Sequence, residues 1–281
     1  MTRRDLLARA AGGGAAAASA FAATDAPRRG RLKQTATPSC FGPLRRDFDQ
    51  VCRVAAKVGL KGIDLVRPPQ YPILRKHGLI PTLLQGVTPL AEGVNHAESH
   101  PAAVERFRDA LREAVEWQAP CIVILSGNRR GISDEEGIEN TAAFLNRVKA
   151  EAEDRGVTLC LELLNSRVDH PDYQADRTAW GVEVCKRVGS PRVKLLYDIY
   201  HMQVMEGDII RTIRDNIQWI GHFHTAGNPG RNELGAGQEL NYRAIAQAIA
   251  ATGFNGYLGH EYTPVGDPVR GLEEAFRICD V

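Results

Sequence analysis

No two of the six cysteines, Cys40, Cys52, Cys121, Cys160, Cys185 and Cys279, are spaced as a C-x-x-C pair. A thiolate zinc site or a small disulfide scaffold therefore has no support. Cys121 and Cys160 lie inside apolar runs, where a thiol packs as a small hydrophobe. An excess of charge of either sign is also missing: 35 Lys and Arg face 34 Asp and Glu, for a net charge of +1. No global basic field exists to recruit nucleic acid or an anionic membrane. No G-x-G-x-x-G follows the first apolar run and no G-x-x-x-x-G-K-[ST] occurs anywhere, so nucleotide cofactors are not indicated. What is present is an ordinary globular composition over 281 residues, 43% apolar and 25% charged. That length accommodates one large domain or two small ones.

The opening MTRRDLLARAAGGGAAAASAFAAT reads as a targeting segment rather than part of a fold. Arg3 and Arg4 precede a weakly apolar Ala/Gly stretch that Arg9 interrupts, a poor membrane span. The run from Thr2 to Leu7 resembles a twin-arginine export signal, which is a receptor-read address. Residues 1–30 are thus expected to be signal and linker, and residues 31–281 the folded domain. The expected location is periplasmic or otherwise exported, with no membrane association after export, and cytoplasmic if the signal does not function.

From there the pattern alternates. Short apolar runs at 34–40, 62–66, 79–85, 121–125, 158–163, 193–197, 219–225 and 256–261 predict strands. Helical spacing fills the intervals at 47–58, 101–118, 137–155, 178–188, 208–215, 242–252 and 268–278, with a short helix near 69–77. In the first of these, Phe48, Val51, Cys52, Ala55 and Val58 fall on one stripe. Gly59, Gly156, Gly189 and Gly253 stand where helices give way to strands, as left-handed caps require. Eight β/α alternations predict an α/β fold of the (β/α)8 barrel type, with a doubly wound open sheet as the rival.

In such a barrel the active face is formed by the carboxyl ends of the strands. Glu162, Asp198, His224 and Glu261 each lie at or near the end of an apolar run, at intervals of 36, 26 and 37 residues. Each interval is close to one unit of ~31 residues in a ~250-residue barrel. The four side chains are therefore expected on adjacent strands, at similar height. Three carboxylates and an imidazole converging on one point need a cation. Oxygen-rich ligation without thiolate favours one divalent ion, Mg2+ or Mn2+, with Co2+ as a substitute. His222 points the same way two residues earlier, hence deeper, and is expected to support His224 rather than to ligate.

These stretches also carry a family likeness. SGNRRGISDEEG (126–137), LELLNSRVDHPDY (161–173), LLYDIYHMQVMEGD (195–208), GHFHTAGNPGRNEL (221–234) and GHEYTP (259–264) resemble the hydroxypyruvate isomerase group of the xylose isomerase-like TIM barrels. The resemblance runs from about Phe48 to the C-terminus. It implies a metal held by Glu162, Asp198, His224 and Glu261, with Glu162 and Glu261 also serving as acid and base. It further implies that His201 and Arg231 face the substrate. The position of His224 is glutamine in typical hydroxypyruvate isomerases and histidine in ketose 3-epimerases.

The expected reaction is the interconversion of hydroxypyruvate and tartronate semialdehyde, or of a close 2-hydroxy-carbonyl pair, through an enediolate. A ketose 3-epimerase or another sugar isomerase is the alternative within enzymes. An exported, non-catalytic binding protein for sugars or organic acids is the alternative outside them. An endonuclease would need several metals, more histidines and a basic face. The expected partner is a small molecule, not nucleic acid, and homo-oligomerisation is left open.

Overall fold

The computed structural model describes residues 29–281, so the targeting signal expected at the N-terminus lies outside the described residues. The strand segments are β1 (Lys33–Ala36), β2 (Gly62–Ile63), β3 (Ile80–Pro81), β4 (Leu83–Leu84), β5 (Cys121–Ile124), β6 (Thr158–Leu163), β7 (Val193–Asp198), β8 (Ile220–Thr225) and β9 (Tyr257–His260). They form one parallel sheet in the order β3-β2-β1-β9-β8-β7-β6-β5-β4. Its two ends, β3 and β4, are one stretch of chain interrupted at Thr82, so the sheet comes round on itself. β3 pairs with β2, and β4 pairs with β5. Pro81 has no N–H to give a ladder, which suits it to this break. The eight expected strands are thus present, the third in two pieces, and the open-sheet rival is set aside.

The helices are α1 (Phe48–Val58), α2 (Tyr71–Lys76), α3 (His100–Trp117), α4 (Asp134–Arg155), α5 (Thr178–Val188), α6 (Ile199–Met205), α7 (Ile209–Asn216), α8 (Tyr242–Ala251) and α9 (Pro268–Cys279). Their ends follow local chemistry. The Asp47 carboxylate accepts from Gln50 N at the start of α1, and Gly59 closes that helix at φ +101°. Helix α4 begins three residues before the expected position. Ser133 accepts from Glu136 N, and Asp134, Glu135 and Glu136 occupy the first turn, where acids complement the helix dipole. Helix α6 was not expected; it starts directly after Asp198, whose carboxylate caps it through His201 N at 3.1 Å.

A large apolar cluster lies between sheet and helices. A second, formed by Leu83, Cys121, Val123, Cys160 and Leu196, fills the barrel below the site. Cys160 and Leu196 stand two residues before Glu162 and Asp198, on the same strand face. All six cysteines are buried and free. No helix among the described residues is long and apolar enough to cross a membrane.

Candidate active site

Register brings the four strand-end residues together. Asp198 on β7 is directly opposite His224 on β8, and His224 is opposite Gly259 on β9. Glu162 comes from β6, and Glu261 follows the end of β9. Ligand-type atoms of Glu162, Asp198, His224 and Glu261 all lie within 4.8 Å of one another. His224 Nδ1 is 3.2 Å from Glu261 Oε2 and 3.7 Å from Glu162 Oε1. Gly259 makes this approach feasible. A Cβ there would lie 2.9 Å from His224 Cδ2 and 2.4 Å from the Asp64 carboxylate.

Two buried atoms that face this cluster, Asp198 Oδ2 and His224 Nδ1, have no hydrogen-bond partner. Buried polar atoms of this kind call for a ligand. Three carboxylates and one imidazole fit a hard divalent cation, and the residues present fit that group.

Asp64 was not anticipated from the sequence. It follows β2, is fully buried, and accepts from His222 Nε2 at 2.9 Å and His224 Nε2 at 3.2 Å. The proton on His224 Nε2 leaves the Nδ1 lone pair for the cluster, the usual arrangement of a ligand histidine held by a carboxylate. Asp64, His222 and His224 themselves form a possible cation-binding group. The Asp64 carboxylate, however, is already occupied by both imidazoles and by the hydroxyls of Thr35 and Thr82. The strand-end signal that marks the other four does not find Asp64, which stands in the middle of the apolar run at 62–66 with Leu65 and Val66 after it.

His201 is fully buried three residues beyond Asp198. Asn165 Oδ1 accepts from the N–H groups of Val168 and Asp169, which fixes the amide orientation. The Asn165 amide group then donates to Asp169 and, at 2.6 Å, to His201 Nδ1. Nδ1 is therefore the acceptor, and the proton of the neutral ring sits on Nε2. That nitrogen lies 3.8 Å from Asp198 Oδ2 and has no hydrogen-bond partner. Burial, aided by the charge of Arg231, pushes the imidazole well below its ordinary pKa, in agreement with the neutral form.

Arg231 sits on the loop after β8 with φ +56°, pinned by its own N–H to Gly227 O and by Thr263 N to its carbonyl. Its Nη2 donates to Glu261 Oε2 at 2.7 Å. The two glutamates are thus in unlike surroundings. Burial, then the nearby charge of Glu261, raises Glu162, while contact with His224 opposes this. Burial also acts to raise Glu261, but the neighbouring positive charges of His224 and Arg231 bring it down to about 2. Burial raises Asp198. His224, despite burial, is held well above the ordinary histidine value by Glu261 and Asp64; a cation bound at Nδ1 would take the place of the proton that these acids hold there.

Glu162, Glu261, Arg231 and His170 open onto a cavity of about 350 Å³, whose other wall includes Leu65, Val123 and Leu125. A larger depression of about 450 Å³ lies far from the strand ends, between α3 and α4, and is lined by groups such as Arg108 and Glu151. Those two already pair with each other, so the chemistry belongs to the smaller cavity.

Residues 52–280 match the family described as Xylose isomerase-like TIM barrel. A hydroxypyruvate isomerase of Escherichia coli K12 is 30% identical over 80% of this chain and 92% of its own length. A 2-oxo-tetronate isomerase of Cupriavidus necator is 37% identical over 48% of this chain and 50% of its own. A human relative is 31% identical over 61% of this chain and 65% of its own. The chain therefore spans about two thirds or less of the human and Cupriavidus relatives. Among solved structures, a family 2 AP endonuclease from Brucella melitensis has a TM-score of 0.77 at 25% identity, covering 86% of this chain and 97% of that one. A D-psicose 3-epimerase from Clostridium cellulolyticum H10, solved with D-tagatose, has a TM-score of 0.73 at 18% identity. It covers 88% of this chain and 98% of that one.

Proposed function

Because the chain belongs to the xylose isomerase-like TIM barrel family, we propose that its strand-end cluster is the centre of a metal-dependent isomerase. The reaction is the interconversion of a 2-oxo-3-hydroxy acid with its 2-hydroxy-3-oxo isomer, of which hydroxypyruvate and tartronate semialdehyde are the smallest pair. The observation that carries this reading is the placement of Glu162 and Glu261 on either side of His224, both lining one cavity with Arg231.

Glu162, Asp198, His224 and Glu261 would hold the cation, Mg2+ or Mn2+ by donor type. When bound, it supplies Lewis acidity to a carbonyl and its neighbouring hydroxyl. One glutamate takes the carbon-bound proton and the other delivers a proton to the adjacent carbon, while the hydroxyl proton passes to the former carbonyl oxygen, so that the substrate neither gains nor loses a proton. Arg231 keeps donors free beyond the one given to Glu261, and its planar fork suits the substrate carboxylate. His201 Nε2–H donates to a substrate oxygen where negative charge develops.

The test is proton NMR in D2O of the Mn2+-exchanged, then Mg2+-loaded protein with hydroxypyruvate and with ketoses. The reading predicts deuterium at the carbon next to the carbonyl of an oxo acid, together with the isomeric product. Exchange with ketoses alone would favour the second reading, a ketose 3-epimerase. An imidazole at position 224 supports that second reading, as do epimerase neighbours of the same fold. Export of the folded enzyme remains a separate proposal, tested by whether Arg3→Lys with Arg4→Lys retains the chain in the cytoplasm.

A further inference from the structure

We propose that Asp169 is a positioning residue for both substrate-facing groups of this site, holding His201 through Asn165 and Arg231 through Tyr200. The inference rests on the isomerase reading above and deepens it: one carboxylate oxygen sets the oxygen-binding and the carboxylate-binding group together.

Asp169 lies on the loop after β6, and that loop folds back on the residue it leaves from. The N–H groups of Val168 and Asp169 donate to Asn165 Oδ1 at 3.0 Å and 2.9 Å, and His170 N donates to Asn165 O at 3.1 Å. This turn returns the Asp169 carboxylate to Asn165. Its Oδ2 accepts from Asn165 Nδ2 at 2.6 Å and from Tyr200 Oη at 2.8 Å. Burial acts to raise the Asp169 pKa, but these two hydrogen bonds and the charge of Arg231 bring it below the ordinary aspartate value. The group is therefore an ionised, strong acceptor.

The first branch follows from amide geometry. Asn165 Nδ2 carries two hydrogens. Asp169 takes one, which directs the other to His201 Nδ1, 2.6 Å away. His201 is thereby held with its Nε2–H toward the site. The second branch runs through Tyr200, buried in the first turn of α6. Its ring centre lies 5.8 Å from the Arg231 guanidinium carbon, within reach of cation–π attraction. Giving the phenol hydrogen to a carboxylate enriches the ring in electron density and strengthens that attraction. The same ring stands edge-on to His201, with centres 5.1 Å apart. Tyr200 and Glu261 thus hold the guanidinium between them. Asp169 is not among the described residues that line the cavity, so it acts through its two neighbours.

The experiment pairs kinetics on the oxo acid that turns over with calorimetric titration of the Mn2+-loaded protein by glycerate, an unreactive carboxylate with vicinal hydroxyls. Asp169→Ala is expected to bind glycerate about threefold to tenfold more weakly, as loss of one cation–π contact gives. It should also lower kcat about tenfold, short of the ~10² that outright removal of an oxyanion donor costs. In an Arg231→Gln background Asp169→Ala should cost no further affinity, and in a His201→Gln background no further kcat. Tyr200→Phe, which cuts only the second branch, should lose affinity as Asp169→Ala does and lose less in kcat. Asp169→Asn, which keeps an oxygen acceptor, should restore part of both and replaces the alanine variant if that fails to fold. An undiminished effect of the Asp169 substitution in either background, or a lowered Tm with affinity and kcat unchanged, would overturn the proposal. So would a wild type that does not bind glycerate, since Arg231 would then hold no carboxylate. Isomerisation with additive effects removes the role of Asp169 alone. The expected calorimetric cycle without isomerisation of any oxo acid removes the isomerase reading alone.

Discussion

Asn165 Nδ2 lies 2.6 Å from His201 Nδ1, and this contact decides which ring nitrogen of His201 carries its proton. With the amide locked by two backbone donors, His201 presents Nε2–H to the site. Asn165→Asp reverses the logic, because a carboxylate there asks Nδ1 for a proton. The variant should show Nδ1 protonated by 15N NMR and lose about 10²-fold in kcat, the low side of what one donor to a developing oxyanion contributes. An unchanged tautomer with unchanged kcat would show that the contact has no catalytic consequence.

The Asp64 carboxylate should matter to the cation without touching it. Asp64→Asn retains the shape but no longer accepts well from both histidines, so His224 is freed to turn. Outer partners of this kind are worth about 10–100-fold in metal affinity. Titration of the variant with Mn2+, read by electron paramagnetic resonance, should show that loss. Wild-type affinity would mean that the Asp64 contact does not hold the ligand.

Gly259 should tolerate no side chain. The Cβ of alanine would sit against both the Asp64 carboxylate and the His224 ring. Forcing it into a packed interior costs about 1–3 kcal/mol, which lowers Tm by several degrees in a chain of this size. Gly259→Ala should therefore show a lower Tm and weaker Mn2+ binding together. Loss of stability with normal metal affinity would show that the two are separable.

The parts of this molecule legible in its sequence are those set by repeating geometry. Apolar runs about one β/α unit apart forecast the barrel, and the charged residue closing four of them forecast Glu162, Asp198, His224 and Glu261. Where the pattern is brief, less could be read. β2 is only two residues long while the apolar run continues to Val66, so Asp64 reads as a mid-strand residue and not as a strand end. Helix α6 has seven residues and begins on a metal-type ligand, so its first turn reads as the end of a strand. The break at Thr82 and the orientation of His170 depend on pairing and loop closure between distant segments, which no local pattern encodes.

Metal content is a simpler check. The donor set predicts about one divalent ion per chain, removed by chelators together with activity. Asp198→Ala, which deletes a buried carboxylate from the cluster, should lose stoichiometric metal by elemental analysis. A fully active protein without stoichiometric metal would contradict the ligand assignment.

Proton transfer between Glu162 and Glu261 is tested most directly by turnover and deuterium exchange in Glu162→Gln and Glu261→Gln at saturating Mn2+. Glutamine keeps an oxygen for ligation but cannot act as a carboxylate base. Each variant should bind metal more weakly yet measurably and lose at least ~10²-fold in turnover. The variant lacking the initiating base should wash no deuterium into substrate, whereas the other should still exchange. Near-wild-type turnover by both variants when metal-saturated would contradict the two-glutamate mechanism.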